Sequence, residues 1–352
     1  MKQREIFDIE RIFYPRTYWV EMNLHELHEY QERIFAHYRK YGYPFQRCTP
    51  AQRAAQLSQL EKSSIDTAID AEGNIALQMQ GLGLCWSYHD HAIDVPCSGH
   101  KTVRQFFEDD ASLRKTIAKC LKRSTSMSDN HFRETIRNIG GVQKPSNFRP
   151  LAAAAIYRRA AKMLNRHRMT VWDMCGGYGG RLLGAIASGV VGWYVCTEPC
   201  SKTAGGLRRM AYDIGADMRV TIMERCAEDM PSGPMFDLCF TSPPYYNTEV
   251  YSPEPTQSCN RYGTYPEWLR GFLRPVISKC ADSLSYNGLL VLNVADTKQA
   301  KTLERDTIKA AESQGLVLFD AMKYLIGRIS KGGMSHEPVF WFRRKLGETF
   351  AS

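Results

Sequence analysis

Beyond about residue 150 the chain repeats one pattern: a short apolar run, a turn, then a stretch of helical length. The apolar runs fall at 170–172, 192–196, 219–223, 236–240, 288–294 and 317–319, with a last one at 338–342 after a glycine-rich segment. Strands alternating with helices cannot close as simple hairpins. They predict an α/β fold, a doubly wound, Rossmann-like sheet with ligands at the carboxyl ends of its strands. A sheet of that size buries enough apolar surface to fold without metal or disulfides.

The first part of the chain reads differently. Residues 24–41 and 49–60 carry apolar side chains at helical spacing among charges, with Thr49-Pro50 as cap and first-turn pair, and 112–121 reads as a further basic amphipathic helix. Turn formers gather at Gly140-Gly141 and Pro145-Ser146-Asn147, which sets the expected boundary: a mainly helical region over 1–145 and a catalytic domain over 146–346. The chain carries a formal charge of +9, and the excess is concentrated between Lys101 and Arg149. A basic stripe of that kind suits a phosphate backbone, and equally a solvated helix face. No run approaches the roughly 18 apolar residues of a membrane span, the polar start is no secretory signal, and the eleven cysteines lack a paired framework. A reduced, cytoplasmic setting is expected.

Two stretches carry the chemistry. In VWDMCGGYGGRLLGAIASG a strand ends at Asp173, and a turn rich in glycine leads into a helix. Glycines let the backbone approach a ligand closely, with helix-start N–H groups facing it. Asp173, Cys175, Gly176, Gly177 and Gly179 are the candidate contacts. The next strand ends in Glu198, about 20 residues on, where a carboxylate can accept both hydroxyls of a ribose. Glu228 and Asp229 follow a third strand, placed to accept from an adenine amino group. The loop departs from the G-x-G-x-x-G spacing of dinucleotide folds, so an adenosyl ligand without pyrophosphate is expected.

The second stretch is FDLCFTSPPYYNTEVYS. Two consecutive prolines fix φ and withhold two N–H groups, so the turn is stiff and its carbonyls are free to accept. Ser242 Oγ and the Pro243 carbonyl can accept from the two hydrogens of a planar amino group, next to Pro244, while Tyr245 offers a stacking face. Tyr246, Tyr251, Tyr262 and Tyr265 lie close by, as further stacking surfaces or as plain packing.

Thr241 to Tyr245 resembles the (D/N/S)PPY motif of DNA amino-methyltransferases, and Asp173 to Arg181 resembles their cofactor loop. GGRLLGA, SPPYYNTEVYS, SHEPVFWF and the segment Ser146-Asn147-Phe148-Arg149-Pro150 are similar to those of a phage and prophage-type group of these enzymes. The resemblance covers most of the chain from about His89 onward. It implies S-adenosylmethionine as methyl donor, DNA as partner, base flipping, a seven-stranded sheet with a reversed last strand, and a role for Arg149 near the cofactor carboxylate or DNA. Cytosine N4 and adenine N6 both stay open as targets, as do a restriction partner and self-protection of a phage genome. With about 60 residues between the two motifs and little chain after Phe342, the N-terminal region is the candidate DNA grip, aided by the loop over 246–270; a grip mainly on phosphate would give low sequence specificity. RNA or protein-amide methylation, or a non-catalytic DNA-binding protein, are the competing readings.

Two further clusters are weighed against their plainer meanings. Cys85, His89, Asp90, His91, Cys97 and His100 match no standard zinc spacing, so no metal is expected. Pro96-Cys97 and Pro199-Cys200 echo the nucleophile of cytosine C5 methylation. Cys97 precedes the cofactor loop where that chemistry needs a cysteine after it, and Cys200 sits beside the ribose carboxylate.

Overall fold

The computed structural model describes residues 12–139, 141–215, 217–231, 235–328 and 333–345. Gly140, one of the boundary turn formers, and the polar start of the chain lie outside them. The chain forms two compact units, one of Met1–Gln46 with His91–Pro145 and one of Arg47–Asp90 with Ser146–Ser352. The segment Arg47–Asp90 thus departs from the expected division at 145. It contributes Leu60, Ile65, Ile75 and Leu84 to a core shared with Leu151, Ile156 and Val171, and that burial assigns it to the larger unit.

The smaller unit is helical. Helices Leu24–Tyr41, Val103–Glu108, Asp110–Arg123 and Asp129–Arg137 bury Tyr30, Ile34, Tyr38, Leu113, Ile117, Phe132 and Ile136. Their starts are set locally: Asn23 with Glu26 and Thr102 with Gln105 form reciprocal capping boxes, which satisfy N–H groups that the first helical turn leaves open. Several cations of the basic stretch are spent inside the unit, Arg104 on Asp94 and Arg114 on Glu32 at 2.9 Å. Lys115, Lys122 and Arg123 remain exposed.

Among the described residues the larger unit has eight strands: β1 (Asn74–Ile75), β2 (Met169–Asp173), β3 (Val191–Thr197), β4 (Arg219–Met223), β5 (Phe236–Thr241), β6 (Leu284–Asn293), β7 (Leu316–Arg328) and β8 (Met334–Arg344). They lie in the order β1-β7-β8-β6-β5-β2-β3-β4. Only β8 runs against its neighbours, pairing antiparallel with both β6 and β7. Seven of these strands reproduce the expected sheet with its reversed last strand. The eighth, β1, adds a two-residue parallel edge beside β7 and comes from the segment read as helical. Alternation along β2 sends Val171 into one apolar layer and Trp172 into the other, so both faces of the sheet are covered, as parallel strands require.

Chain direction across the sheet reverses between β2 and β5. From β2 the chain proceeds outward through β3 and β4, and from β5 it turns the other way to β6. The loops after β2 and β5 therefore part above two adjacent strands and leave a crevice at their carboxyl ends, where open α/β sheets bind ligands. The Ala-rich helix Pro150–Leu164 and the helix Gly180–Ser188 pack so closely that a Cβ on Gly184 would meet Ala153 Cβ at 2.5 Å. Among the described residues no helix is long and apolar enough to cross a membrane, and all eleven cysteines are free thiols, most of them buried.

Candidate active site

The crevice is a cleft of about 820 Å³ out to its open mouth, lined by residues from all four loops that follow β2 to β5. The loop after β2 contributes Met174, Cys175, Gly177, Tyr178 and Arg181; that after β3 contributes Glu198, Pro199 and Thr203. Cys226, Ala227 and Glu228 follow β4, and Ser242 and Pro244 follow β5. Sequence reading placed Cys175, Gly177, Glu198, Glu228, Ser242 and Pro244 here, and the structure brings them to one cavity.

The glycine loop owes its shape to conformation and to crowding. Gly179 holds φ +82° and caps the following helix, a left-handed geometry that costs an L-residue energy. Gly180 is packed so closely that a Cβ would lie 1.7 Å from the Phe148 carbonyl oxygen. Gly176 packs against Cys196 and Leu207 rather than lining the cleft. Asn147 grips the loop from outside: its Oδ1 accepts from Gly180 N at 3.2 Å and its Nδ2 donates to the Tyr178 carbonyl at 3.2 Å.

Asp173 is not a cleft residue, which corrects its reading as a cofactor contact. It is fully buried, and both oxygens are taken by protein donors. Oδ2 accepts from Arg181 Nε at 2.8 Å and Tyr194 O–H at 2.5 Å; Oδ1 accepts from Thr241 Oγ1 at 2.8 Å and Cys175 N at 3.3 Å. Arg181 also donates to the Cys175 carbonyl. Burial alone would lower the Arg181 pKa; the negative charge of Asp173 overcomes this and raises it. Asp173 is a strut that locks the ends of β2, β3 and β5 together and so fixes the two loops above them.

Glu198 is different. Its two oxygens each accept one backbone N–H, Oε2 from Gly177 at 2.9 Å and Oε1 from Cys200 at 3.0 Å. An ionised carboxylate has about four acceptor positions, so each oxygen keeps capacity toward the cleft. Burial pushes its pKa up to about 7, against the two backbone hydrogen bonds that lower it. Of the acidic pair after β4, Glu228 lines the cleft and Asp229 does not. Asp229 is half exposed and holds Arg261 at 2.7 Å, while Arg261 also reaches Glu228 Oε1 at 3.0 Å. Burial raises the Glu228 pKa.

The proline turn after β5 presents Ser242 and Pro244 to the cleft, with Pro243 buried behind them. Tyr245 is anchored: its hydroxyl donates to Glu337 Oε2 at 2.9 Å, with the Asn293 carbonyl and Oδ1 each at 3.3 Å. Burial and the Glu337 charge hold the phenol well above its ordinary pKa. Tyr246 takes φ +57°, a conformation a bulky residue adopts only under constraint; its hydroxyl donates to the Gly263 carbonyl at 2.6 Å. Tyr246 and Tyr265 pack around Trp268, whereas Tyr251 lines the cleft. Phe272 reaches the cleft from a π-helical turn, Leu269–Leu273. Pro275 follows that turn and has no N–H to continue a regular ladder.

Arg149, expected near a cofactor carboxylate or DNA, is buried and donates to the Leu325 carbonyl, with its guanidinium 4.6 Å from the Tyr324 ring. It serves the β7 edge, and the correction follows from that burial. Sequence reading also missed Glu249. It is buried in the loop after the proline turn and accepts from Ser146 N at 2.9 Å and Ser146 Oγ at 3.3 Å, tying that loop to another wall of the cleft. Burial raises its pKa. Its only local signal is a carboxylate four residues past the tyrosine of the motif.

The histidine and cysteine stretch forms no metal-binding constellation among the described residues. His89 is buried, its Nδ1 lies 2.9 Å from the Cys85 carbonyl, and its ring fills the space beside Gly206.

No protein-family model matches the chain, and no curated protein matches its sequence. Solved structures do. A methyltransferase from Pyrococcus furiosus is similar over 55% of this chain and 83% of its own, at 13% identity and TM-score 0.39. The magnesium protoporphyrin IX methyltransferase of Synechocystis PCC 6803, solved with bound S-adenosylmethionine, is similar over 69% of this chain and 95% of its own, at 12% identity and TM-score 0.41. TrmN from Thermus thermophilus is similar over 62% and 67%, at 14% identity and TM-score 0.39.

Proposed function

We propose that the chain is an S-adenosylmethionine-dependent methyltransferase acting on an exocyclic amino group of a DNA base, cytosine N4 or adenine N6. The observation that carries this reading is the pairing, across one cleft, of a carboxylate with spare acceptor capacity, Glu198, and an oxygen acceptor on a rigid double-proline turn, Ser242.

The cradle fits an adenosyl donor. Glu198 accepts the two ribose hydroxyls, Glu228 accepts from the adenine amino group, and the Cys175 to Gly177 backbone lies alongside. Arg181 keeps the loop in place through Asp173. When bound, the donor supplies an electrophilic methyl on sulfonium sulfur. The chain's own contribution is alignment and polarisation, worth several orders of magnitude when reacting atoms are held in line. Ser242 Oγ, which faces the cleft, accepts an amino hydrogen and helps turn the nitrogen lone pair toward the methyl group. With the donor held there, that lone pair would be aimed at the methyl carbon, and the surplus amine proton would leave to solvent. Tyr245 supports the turn and offers a ring edge for a flipped base.

The helical unit is the proposed DNA grip, through Lys115, Lys122 and Arg123 on the exposed side of Asp110–Arg123. Contacts of that kind address phosphate and favour low sequence specificity. Nucleoside mass spectrometry on DNA from cells expressing the protein tests the reading: N4-methylcytosine or N6-methyladenine is expected, and its loss in Ser242→Ala. Methyl transfer confined to RNA or protein, or DNA binding with no transfer, would overturn it.

A further inference from the structure

The proline turn and the glycine loop lie far apart in the chain, and a short path of hydrogen bonds joins them. After β5 the turn closes on itself at once: Thr248 N and Thr248 Oγ1 both donate to the Tyr245 carbonyl, at 3.2 Å and 2.9 Å. It therefore passes to Glu249 with little slack. The buried Glu249 carboxylate takes both donors of one residue, Oε1 accepting from Ser146 N at 2.9 Å and Oε2 from Ser146 Oγ at 3.3 Å. These partners are 103 residues apart in sequence. The next residue, Asn147, holds the glycine loop at two points, accepting from Gly180 N and donating to the Tyr178 carbonyl, each at 3.2 Å. Gly180 is tightly seated there, since a Cβ on it would meet Asn147 Oδ1 at 2.8 Å. Only the torsions of two adjacent residues separate the two grips, which leaves little room to absorb a shift.

We propose that Glu249 is a positioning residue: acting through Ser146 and Asn147, it holds the proline turn in register with the glycine loop, and so fixes the amino-group acceptor relative to the methyl donor. The inference rests on the amino-methyltransferase reading of the cleft and deepens it. Direct methyl transfer depends on alignment, and a misplacement of about 1 Å can cost about a hundredfold in rate. Ser242 lines the cleft at one end of this path. At the other end are Gly177, which also lines it, and Glu198, whose Oε2 Gly177 N orients at 2.9 Å. Glu249 is not among the described residues that line the cleft, and both its oxygens are turned to Ser146, so its part is geometric and no proton passes through it. A glutamine could serve in its place, one oxygen accepting from Ser146 N and the amide N–H₂ donating to Ser146 Oγ, because a hydroxyl both donates and accepts.

The test uses the full chain with Glu249→Ala, Glu249→Gln and Asn147→Ala. Glu249→Ala is expected to lower kcat for methyl transfer to DNA about tenfold to hundredfold, with KM for S-adenosylmethionine unchanged within about threefold. Glu249→Gln should restore kcat to within about threefold of the unaltered protein. Glu249→Ala/Asn147→Ala should lose less than the product of the two single losses, because both substitutions break one path. Hydrogen exchange followed by mass spectrometry gives a readout without turnover. Peptides covering 176–183 should exchange at least about threefold faster in Glu249→Ala and close to the unaltered rate in Glu249→Gln. A Glu249 that merely held its own loop would loosen 245–250 and leave 176–183 unmoved. Unchanged kcat in Glu249→Ala, a Glu249→Gln protein as slow as Glu249→Ala, multiplicative losses in the double variant, or unmoved exchange over 176–183 would each overturn the coupling. Should Glu249→Ala fail to fold, exchange over 245–250 in Asn147→Ala decides the question from the other end: faster exchange is expected, and an unaltered rate overturns the path. If the unaltered protein methylates no nucleic acid, the functional reading falls, and the exchange rates alone still decide whether Glu249 couples the two loops.

Discussion

Replacing Asp173 with asparagine should destabilise the larger unit severely although the side chain keeps its shape. Oδ2 accepts from Arg181 Nε and Tyr194 O–H, and Oδ1 accepts from Thr241 Oγ1 and Cys175 N. An amide must turn its N–H₂ toward one of these donor pairs, whichever way it flips. It also leaves the Arg181 side chain, 5% exposed, without its counter-charge. Breaking a buried pair by removing one partner costs about 3–5 kcal/mol. For a unit of this size each kcal/mol lowers Tm by about 2–4 °C, so a fall of roughly 6–20 °C is expected. Tryptophan fluorescence is the suitable probe, because five of the six tryptophans belong to the larger unit, and urea titration at fixed temperature gives the free energy. The double variant Asp173→Asn/Arg181→Met removes the stranded charge and should recover part of the loss, with a coupling of about 2 kcal/mol. A single-variant cost below about 1 kcal/mol, or strict additivity in the cycle, would refute the view of Asp173 as a strut.

Glu198 links stability and affinity to pH. Its folded pKa is raised from 4.5 to about 7, so the stability tied to its protonated form is complete below the unfolded value and is lost as pH rises through about 7; Glu198→Gln should flatten the stability profile over that window. Ligand hydroxyls bond the ionised form, so calorimetric affinity for S-adenosylmethionine should increase from pH 6 to 8, and an affinity independent of pH would exclude Glu198 as the diol acceptor. Gly180→Ala should cost at least about 2 kcal/mol in urea unfolding, since its Cβ would fall 1.7 Å from a backbone oxygen that the Asn147 clamp holds in place. Neutralising Lys115, Lys122 and Arg123 together should weaken DNA binding alike for all sequences and reduce the slope of log K against log salt by about 2–3, measured by fluorescence anisotropy; an unchanged slope would move the grip elsewhere.

What the sequence made legible, and what it hid, divides along the range of the interactions involved. Helices Leu24–Tyr41 and Pro50–Glu61 and strands β2 to β6 were readable because period, caps and glycines are local signals. β1 was not, being two residues long and held only by its pairing with β7. β7 itself spans 13 residues where the apolar run marks three, because Asp320 and Lys323 interrupt it and register shifts break its pairing. The cleft follows the same rule. Ser242 and Glu198 stand at strand ends that any alternating pattern locates, while Glu337 and Asn147 reach the site only through contacts 92 and 33 residues apart.

Local reading made cofactor contacts of Asp173, Glu198 and Glu228 alike, with the ribose for Glu198 and the adenine for Glu228, and tertiary structure separates them. Asp173 is satisfied by side chains arriving from β3, β5 and the helix after the glycine loop, which exhausts its oxygens and leaves it a purely architectural task. Glu198 meets backbone N–H groups only, one per oxygen, and these point it toward the cleft without filling it. Glu228 shares Arg261 with Asp229, so a ligand amino group would compete with an exposed cation that salt can screen. Affinity contributed by Glu228 should therefore respond to ionic strength, whereas that contributed by Glu198 should respond to pH. Titrating the binding of S-adenosylmethionine against both variables in Glu198→Gln and Glu228→Gln would assign each carboxylate its share. A Glu228→Gln protein with undiminished salt dependence would show that Arg261 never yields its partner to the ligand.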